Sequence, residues 1–147
     1  MASYLLDTNV LLRLVDRRAP EHDVCRRAVE QLRTHGEQLC VAPQVVVKFW
    51  VVATRPEKQN GFGWPADEVG NRVEQLARFF DLREERPELF RRWFDLVRSA
   101  TAAGKRAHDA RLAAFMELHA IDFVLTLNRS DFLSLGVQAF DPQDVVS

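Results

Sequence analysis

The N-terminal residues 4–12 place a short strand, an acid and a helix start side by side, and this order restricts the possible folds more than any other segment. Tyr4–Leu6 is an apolar run that predicts a buried strand, Asp7 follows it directly, and Thr8-Asn9 leads into apolar residues with helical spacing. Open parallel sheets bind ligands at the carboxyl ends of their strands, and a carboxylate there suits a hard cation such as Mg²⁺ or Mn²⁺. The competing interpretation is that Asp7 only caps the following helix.

Strand and helix patterns alternate along the rest of the chain. The predicted strands are Tyr4–Leu6, Leu39–Val41, Phe123–Thr126 and Val137–Phe140. The predicted helices run to about Val15, from Pro20 to near Gly36, from Pro43 to Arg55, from Ala66 to Phe80, from Pro87 to before Gly104, and from about His108 to Ala120. This alternation predicts a three-layer α/β fold, a parallel sheet with helices on both faces, in which the helical pair at 66–104 is an insertion.

The helix predicted after Pro43 is nearly all apolar and rich in β-branched residues, so a strand is an alternative there. Its length and the proline at its start favour a buried helix.

Composition limits the remaining possibilities. A chain of 147 residues suits one domain, residues 1–147, and a net charge of −1 gives no overall attraction to nucleic acid. Cys25 and Cys40 lack metal-ligand spacing, which predicts reduced, structural thiols. Asp7 and Arg13 interrupt the only apolar N-terminal stretch, and no apolar run is long enough to span a bilayer, so we expect a cytoplasmic protein without membrane association.

Three more polar positions fall where strands give way to helices. Asp109 is predicted to open the sixth helix, and Asn128 and Asp131 follow the strand that ends at Thr126. Each alone is explained by a helix cap or a polar turn. Together with Asp7 they would meet at one edge of a parallel sheet, where clustered carboxylates are costly unless a cation joins them.

The ordered set of motifs resembles PIN domains, and most closely the VapC-type toxins of bacterial toxin–antitoxin pairs. The resemblance rests on Leu5-Leu6-Asp7-Thr8-Asn9, His108-Asp109-Ala110 and the segment Leu125–Phe132, with further likeness to one PIN subgroup in the turn 53–56 and the loop 60–63. It covers nearly the whole chain.

This resemblance implies an endoribonuclease toxin that depends on Mg²⁺ or Mn²⁺, acts on an RNA substrate, forms a homodimer and binds a cognate antitoxin protein. Asp7 and Asp109 match the family's principal metal-binding aspartates. Asp131 and Asn128 lie in the fourth motif, and either could serve the metal; Asp131 is taken as the third ligand.

One position departs from the family pattern. The family carries a glutamate on the third helix, in a pattern like Glu-Phe-Trp, whereas this chain has Lys48-Phe49-Trp50. An ammonium among carboxylates competes with a metal, so Lys48 is expected to contact Asp7 or Asp109 and to impair the site. The simpler interpretation is a lysine that extends to the surface from a half-buried helix.

Two other functions compete with an active nuclease. A catalytically inactive PIN domain could bind RNA or an antitoxin, and Lys48 is the feature that favours it. Receiver domains and haloacid-dehalogenase-like phosphatases need a second acid beside or two residues after the first, where Asn9 stands here, and a lysine near a late strand, whereas none follows Lys105. The three tryptophans and ten phenylalanines could stack on RNA bases, but helical spacing favours core positions for most of them.

Overall fold

The computed structural model describes residues 1–147 and has a five-stranded sheet at its centre. The strands are β1 (Ser3–Leu6), β2 (Gln38–Val41), β3 (Asp81–Leu82), β4 (Phe123–Leu125) and β5 (Ala139–Phe140). They lie in the order β3-β2-β1-β4-β5, and every neighbouring pair is parallel.

Eight α-helices surround this sheet. They are α1 (Thr8–Val15), α2 (His22–Thr34), α3 (Pro43–Thr54), α4 (Ala66–Phe79), α5 (Leu89–Ala100), α6 (Arg106–Leu118), α7 (Ser130–Leu133) and α8 (Pro142–Val146). A short 3₁₀ turn, Glu57–Gln59, follows α3. None of the helices is both long and apolar enough to cross a membrane.

The strand order determines where a ligand site can form. The chain moves from β1 to β2 and β3 in one direction, then crosses back to β4 and β5 on the other side of β1. Because such crossovers are right-handed, the two sets of connections lie on opposite faces, which confirms the predicted three-layer α/β fold. The connections after β1 and β4 leave in opposite directions, so a crevice opens beyond the carboxyl ends of these two strands.

The third helix is confirmed, but its predicted burial is wrong. Only Val45, Phe49 and Ala53 of α3 are buried, whereas Val47 is 63% exposed and Val51 49% exposed. The buried positions recur every four residues, so one narrow stripe packs on the core and the opposite apolar face is open to solvent.

The strand β3 was not predicted, because two residues carry no periodic signal. It pairs with β2 through Cys40 and Val41, and it joins the predicted pair of helices, α4 and α5, to the edge of the sheet. The C-terminal helix α8 was also missed. It packs against α2, where the side chain of Gln31 donates a hydrogen bond to the carbonyl of Val145 at 2.8 Å.

The main hydrophobic core is a cluster of 26 buried residues. Its fully buried side chains include Leu5, Leu6, Phe49, Phe115 and Phe132. Both cysteines are free and buried, and burial raises the pKa of each thiol to about 11. Both thiols are reduced and pack within this core.

Candidate active site

A cleft of about 730 Å³ opens beyond the carboxyl ends of β1 and β4. All five side chains predicted for the site line it: Asp7, Lys48, Asp109, Asn128 and Asp131. The fold therefore brings together residues that are up to 124 positions apart in sequence (131 − 7).

Asp7 is held in place by hydrogen bonds from both sides of the β1–β4 junction. Its Oδ1 accepts a hydrogen bond from the backbone N–H of Thr8 at 2.8 Å, so it does cap α1. Its Oδ2 accepts a hydrogen bond from the hydroxyl of Thr126 at 2.7 Å and a longer one from Asn9 at 3.4 Å. The capping and functional interpretations are compatible here, because Asp7 lines the cleft and its Oδ1 accepts only one hydrogen bond.

Thr126 is a site residue that the sequence interpretation missed. It lies just after β4, is fully buried, and its hydroxyl also accepts the backbone N–H of Asn128 at 3.0 Å. The strand was predicted to end at Thr126, and a polar residue at a buried strand end was the available signal.

Asp109 lies in the first turn of α6 rather than at its start, because the helix begins three residues earlier at Arg106. Burial raises the pKa of its carboxyl; the nearby Lys105 opposes this shift, while the negative charges of Asp131 and Asp7 add to it. Its Oδ2 is buried and has no hydrogen-bond partner. A buried carboxylate oxygen without a donor is costly, and a cation in the cleft would satisfy it.

Asp131 has a partner that was not predicted. Lys105 donates a hydrogen bond from Nζ to Asp131 Oδ2 at 3.2 Å, and this contact raises the pKa of Lys105. Asn128 is exposed at the rim. Its backbone carbonyl accepts the N–H of Asp131 at 3.1 Å, so the two residues of the fourth motif form one turn.

Lys48 lines the cleft, as the family register predicted, but the expected contact with Asp7 or Asp109 is wrong. The side chain of Lys48 forms no ion pair within 4.0 Å, and Lys48 is exposed. The physical reason is hydration: an ammonium on a four-carbon stem loses less by staying in water than by entering the cleft. Its charge still reaches Asp109, whose pKa it lowers slightly against the larger effect of burial.

The residues present fit a divalent cation in part. Asp7 and Asp109 offer hard carboxylate oxygens, and the unpartnered Oδ2 of Asp109 is a natural ligand. Asp131 is paired with Lys105, and no three His, Cys, Asp or Glu side chains are grouped closely enough to hold a metal ion. A cation held by Asp7 and Asp109 must complete its coordination shell with water, as Mg²⁺ commonly does.

Comparisons with known proteins identify the family and support the fold. The sequence model of the PIN domain family matches residues 4–136. No curated protein sequence matches the chain.

Solved structures with similar folds include toxin–antitoxin proteins. VapBC-1 from nontypeable Haemophilus influenzae is 16% identical with a TM-score of 0.69, over 96% of this chain and 98% of that one. A toxin–antitoxin complex from Klebsiella pneumoniae is 19% identical with a TM-score of 0.65, over 95% and 97%. VapC20 from Mycobacterium tuberculosis, a toxin that cleaves the sarcin–ricin loop, is 17% identical with a TM-score of 0.54, over 82% and 86%. At such identities the likeness establishes a shared fold.

Proposed function

This chain belongs to the PIN domain family, and we propose on that basis that it is a metal-dependent endoribonuclease, the toxin of a toxin–antitoxin pair, whose metal site is weakened by Lys48. The observation that carries the proposal is the pair Asp7 and Asp109 in one cleft at the β1–β4 crevice, with an unpartnered carboxylate oxygen on Asp109. The M. tuberculosis structure of the same fold, a toxin that cleaves the sarcin–ricin loop, supports it.

Each residue of the cleft has a role that follows from its contacts. Asp7 and Asp109 would hold Mg²⁺ or Mn²⁺, and Thr126 and the N-terminus of α1 fix the direction of the Asp7 carboxylate. When bound, the cation lowers the pKa of a water and offsets the charge of the phosphodiester during in-line hydrolysis. Lys105 is placed to exchange Asp131 for a phosphate oxygen, because its side chain is 64% exposed and flexible.

Lys48 is proposed to act by charge alone. Two unit charges 4 Å apart interact by about 1 kcal/mol in water and about 4 kcal/mol near a protein surface. Replacing the glutamate of the family pattern with lysine changes the cleft by two charge units next to a divalent ion, so even the exposed position costs metal affinity.

Magnesium titration by calorimetry tests this proposal. We expect Lys48→Glu to bind Mg²⁺ at least tenfold more tightly than the parent, which corresponds to about 1.4 kcal/mol. Lys58→Glu is the matched control, because Lys58 is exposed on the 3₁₀ turn and makes the same charge change outside the cleft. Equal Mg²⁺ affinity in the parent and Lys48→Glu would contradict the role given to Lys48.

Cleavage of single-stranded RNA is the second measurement. The parent should cleave slowly or not at all with Mg²⁺, Lys48→Glu should cleave faster, and Asp7→Asn in that background should remove the gain because the metal loses a ligand. If Lys48→Glu binds Mg²⁺ yet leaves RNA intact, the chain is an inactive PIN domain that serves as a binding module.

The proposed partners are a second copy of this chain, with which it forms a homodimer, and an antitoxin. The Klebsiella structure of the same fold is a toxin–antitoxin complex. We call the cleft that contains Asp7, Asp109 and Asp131 the acidic cleft. The exposed face of α3 places Val47 and Val51 in its wall. An antitoxin helix with apolar side chains and one cation complements such a surface.

A further inference from the structure

A second cavity, of about 340 Å³, lies at the start of α5 beside the acidic cleft. We call it the aromatic pocket and define it by Arg86, Pro87, Phe90 and Trp93. Phe90 is 67% exposed, which is the largest exposure of any phenylalanine in the chain. The exposed face of this ring is therefore free to contact a flat ligand at the mouth of the cavity.

The rings of the aromatic wall are held by one hydrogen bond and by contacts with one another. The indole N–H of Trp93 donates a hydrogen bond to the carbonyl of Ala107 at 2.8 Å, which ties the ring to the first turn of α6. Phe90 stacks on Phe94 with a centroid distance of 5.9 Å and an interplanar angle of 10°, and it contacts Trp93 at 5.8 Å. These contacts hold the rings without burying Phe90, so a flat ligand would meet a preorganised surface.

The pocket and the acidic cleft are neighbours that share a wall. Glu85 and Arg111 line both cavities. Arg111 donates to Gln44 Oε1 at 2.9 Å and pairs with Glu85 at 2.8 Å. On α6, Arg111 follows Asp109 by two residues. Ala107 precedes Asp109 by two residues, and its carbonyl anchors Trp93. One helical turn thus positions the acid, the arginine and the aromatic wall.

We propose that the aromatic pocket binds one unstacked base of single-stranded RNA, next to the phosphate that is hydrolysed in the acidic cleft; this rests on the proposed nuclease function. Every base can stack on an aromatic side chain, whatever its identity. Proteins that recognise RNA by its sequence bind bases that are splayed out of the helix. Arg111 is paired with Glu85, whereas Arg86 forms no ion pair, so the lining of the pocket keeps a net positive charge that suits the linking phosphates.

The test measures RNA binding without metal. A short fluorescent single-stranded RNA that carries 2′-O-methyl groups is titrated in the presence of a chelator, and its anisotropy is followed. We expect Phe90→Leu to weaken binding about fivefold or more, which corresponds to about 1 kcal/mol for a lost base stack. Phe90→Tyr should retain the parent's affinity.

Phe79→Leu is the matched control, because Phe79 is 53% exposed on α4 and lines neither cavity. It should bind RNA as tightly as the parent. Ligand should also quench the tryptophan fluorescence of the parent and quench that of Trp93→Phe less. A duplex of the same sequence should compete poorly.

Equal affinity of Phe90→Leu and the parent would overturn the assignment. So would a change of oligomeric mass in Phe90→Leu with no change in RNA affinity, since the pocket would then be a protein interface. RNA that is bound through Phe90 yet is not cleaved even by Lys48→Glu would refute the nuclease and leave the pocket assigned. RNA cleaved equally well by Lys48→Glu with and without Phe90→Leu would refute the pocket alone.

Discussion

At the residue scale, the site depends on how each carboxylate is held. Asp7 receives a neutral hydroxyl donor from Thr126, whereas Asp131 receives the ammonium of Lys105 and Asp109 has an oxygen with no donor. Chemically identical side chains therefore differ in readiness to bind a cation. Asp109 differs from the other two because its buried Oδ2 has no partner in the protein and burial raises the pKa of its carboxyl.

Thr126→Val removes the hydroxyl at constant shape and tests the support of Asp7. The backbone N–H of Asn128 and one oxygen of Asp7 lose a partner, so we expect the free energy of unfolding to fall by about 1–3 kcal/mol. Metal affinity should fall as well, since the carboxylate is less fixed. Chemical denaturation and calorimetry measure the two effects. Thr126→Ser keeps the hydroxyl and should behave like the parent. If Thr126→Val has the parent's free energy of unfolding and the parent's metal affinity, this hydrogen bond is unimportant.

At the scale of single elements, α8 shows how a five-residue helix is stabilised. Asp141 caps it by accepting the N–H of Gln143 at 2.8 Å, and Asp144 returns a bond by accepting the N–H of Asp141 at 3.0 Å. Asp144 also pairs with Arg129 at 2.8 Å, which ties α8 to the turn of the fourth motif. The capping box stabilises a helix that is too short to be stable through intrinsic helix propensity.

The Asp144 contacts predict a pH dependence of stability. The N–H of Asp141, and then Arg129, lower the pKa of Asp144 in the folded protein, so its ionised form stabilises the fold above the pKa of the unfolded chain. We expect Asp144→Asn to lower the thermal midpoint near pH 7, and the deficit to shrink as the pH falls through the folded-state pKa. Scanning calorimetry from pH 3 to 8 measures this. Asp95→Asn, at an exposed position without an ion pair, should show no such trend. A deficit of Asp144→Asn that stays constant down to pH 3 would contradict the assignment.

At the scale of the whole molecule, the surface leaves several large apolar side chains exposed. Val47 and Val51 lie on α3. Phe79 lies at the C-terminal end of α4, and Leu82 lies on the edge strand β3. This distribution is consistent with more than one protein interface on a 16.9 kDa chain.

We expect light scattering to give a mass near twice that of the chain, and a larger complex when the protein is produced with its antitoxin. Val47→Glu with Val51→Lys should weaken antitoxin capture without changing the mass of the toxin alone, because these residues border the cleft. A chain that stays monomeric over a wide concentration range would refute the dimer. Failure of any small partner to copurify from the native host would count against the antitoxin.

The sequence by itself determined the order of elements and the identity of the acids. Tyr4–Leu6 followed by Asp7 predicts a strand that delivers a carboxylate to the edge of a parallel sheet, because alternation and strand polarity are local properties of the chain. The same logic predicted Asp109 at the start of the sixth helix, where the structure places it one turn further in, and Asp131 after the strand that follows, with Lys48 on the third helix.

Only the tertiary structure decided how these charges pair. Lys105 and Lys48 are both lysines near three aspartates, yet Lys105 binds Asp131 and Lys48 stays in water. The exposed face of α3, the two-residue strand β3 and the aromatic pocket likewise depend on distant neighbours. Their formation depends on differences in solvation and packing between segments far apart in the chain, and local sequence patterns contain no information on those differences.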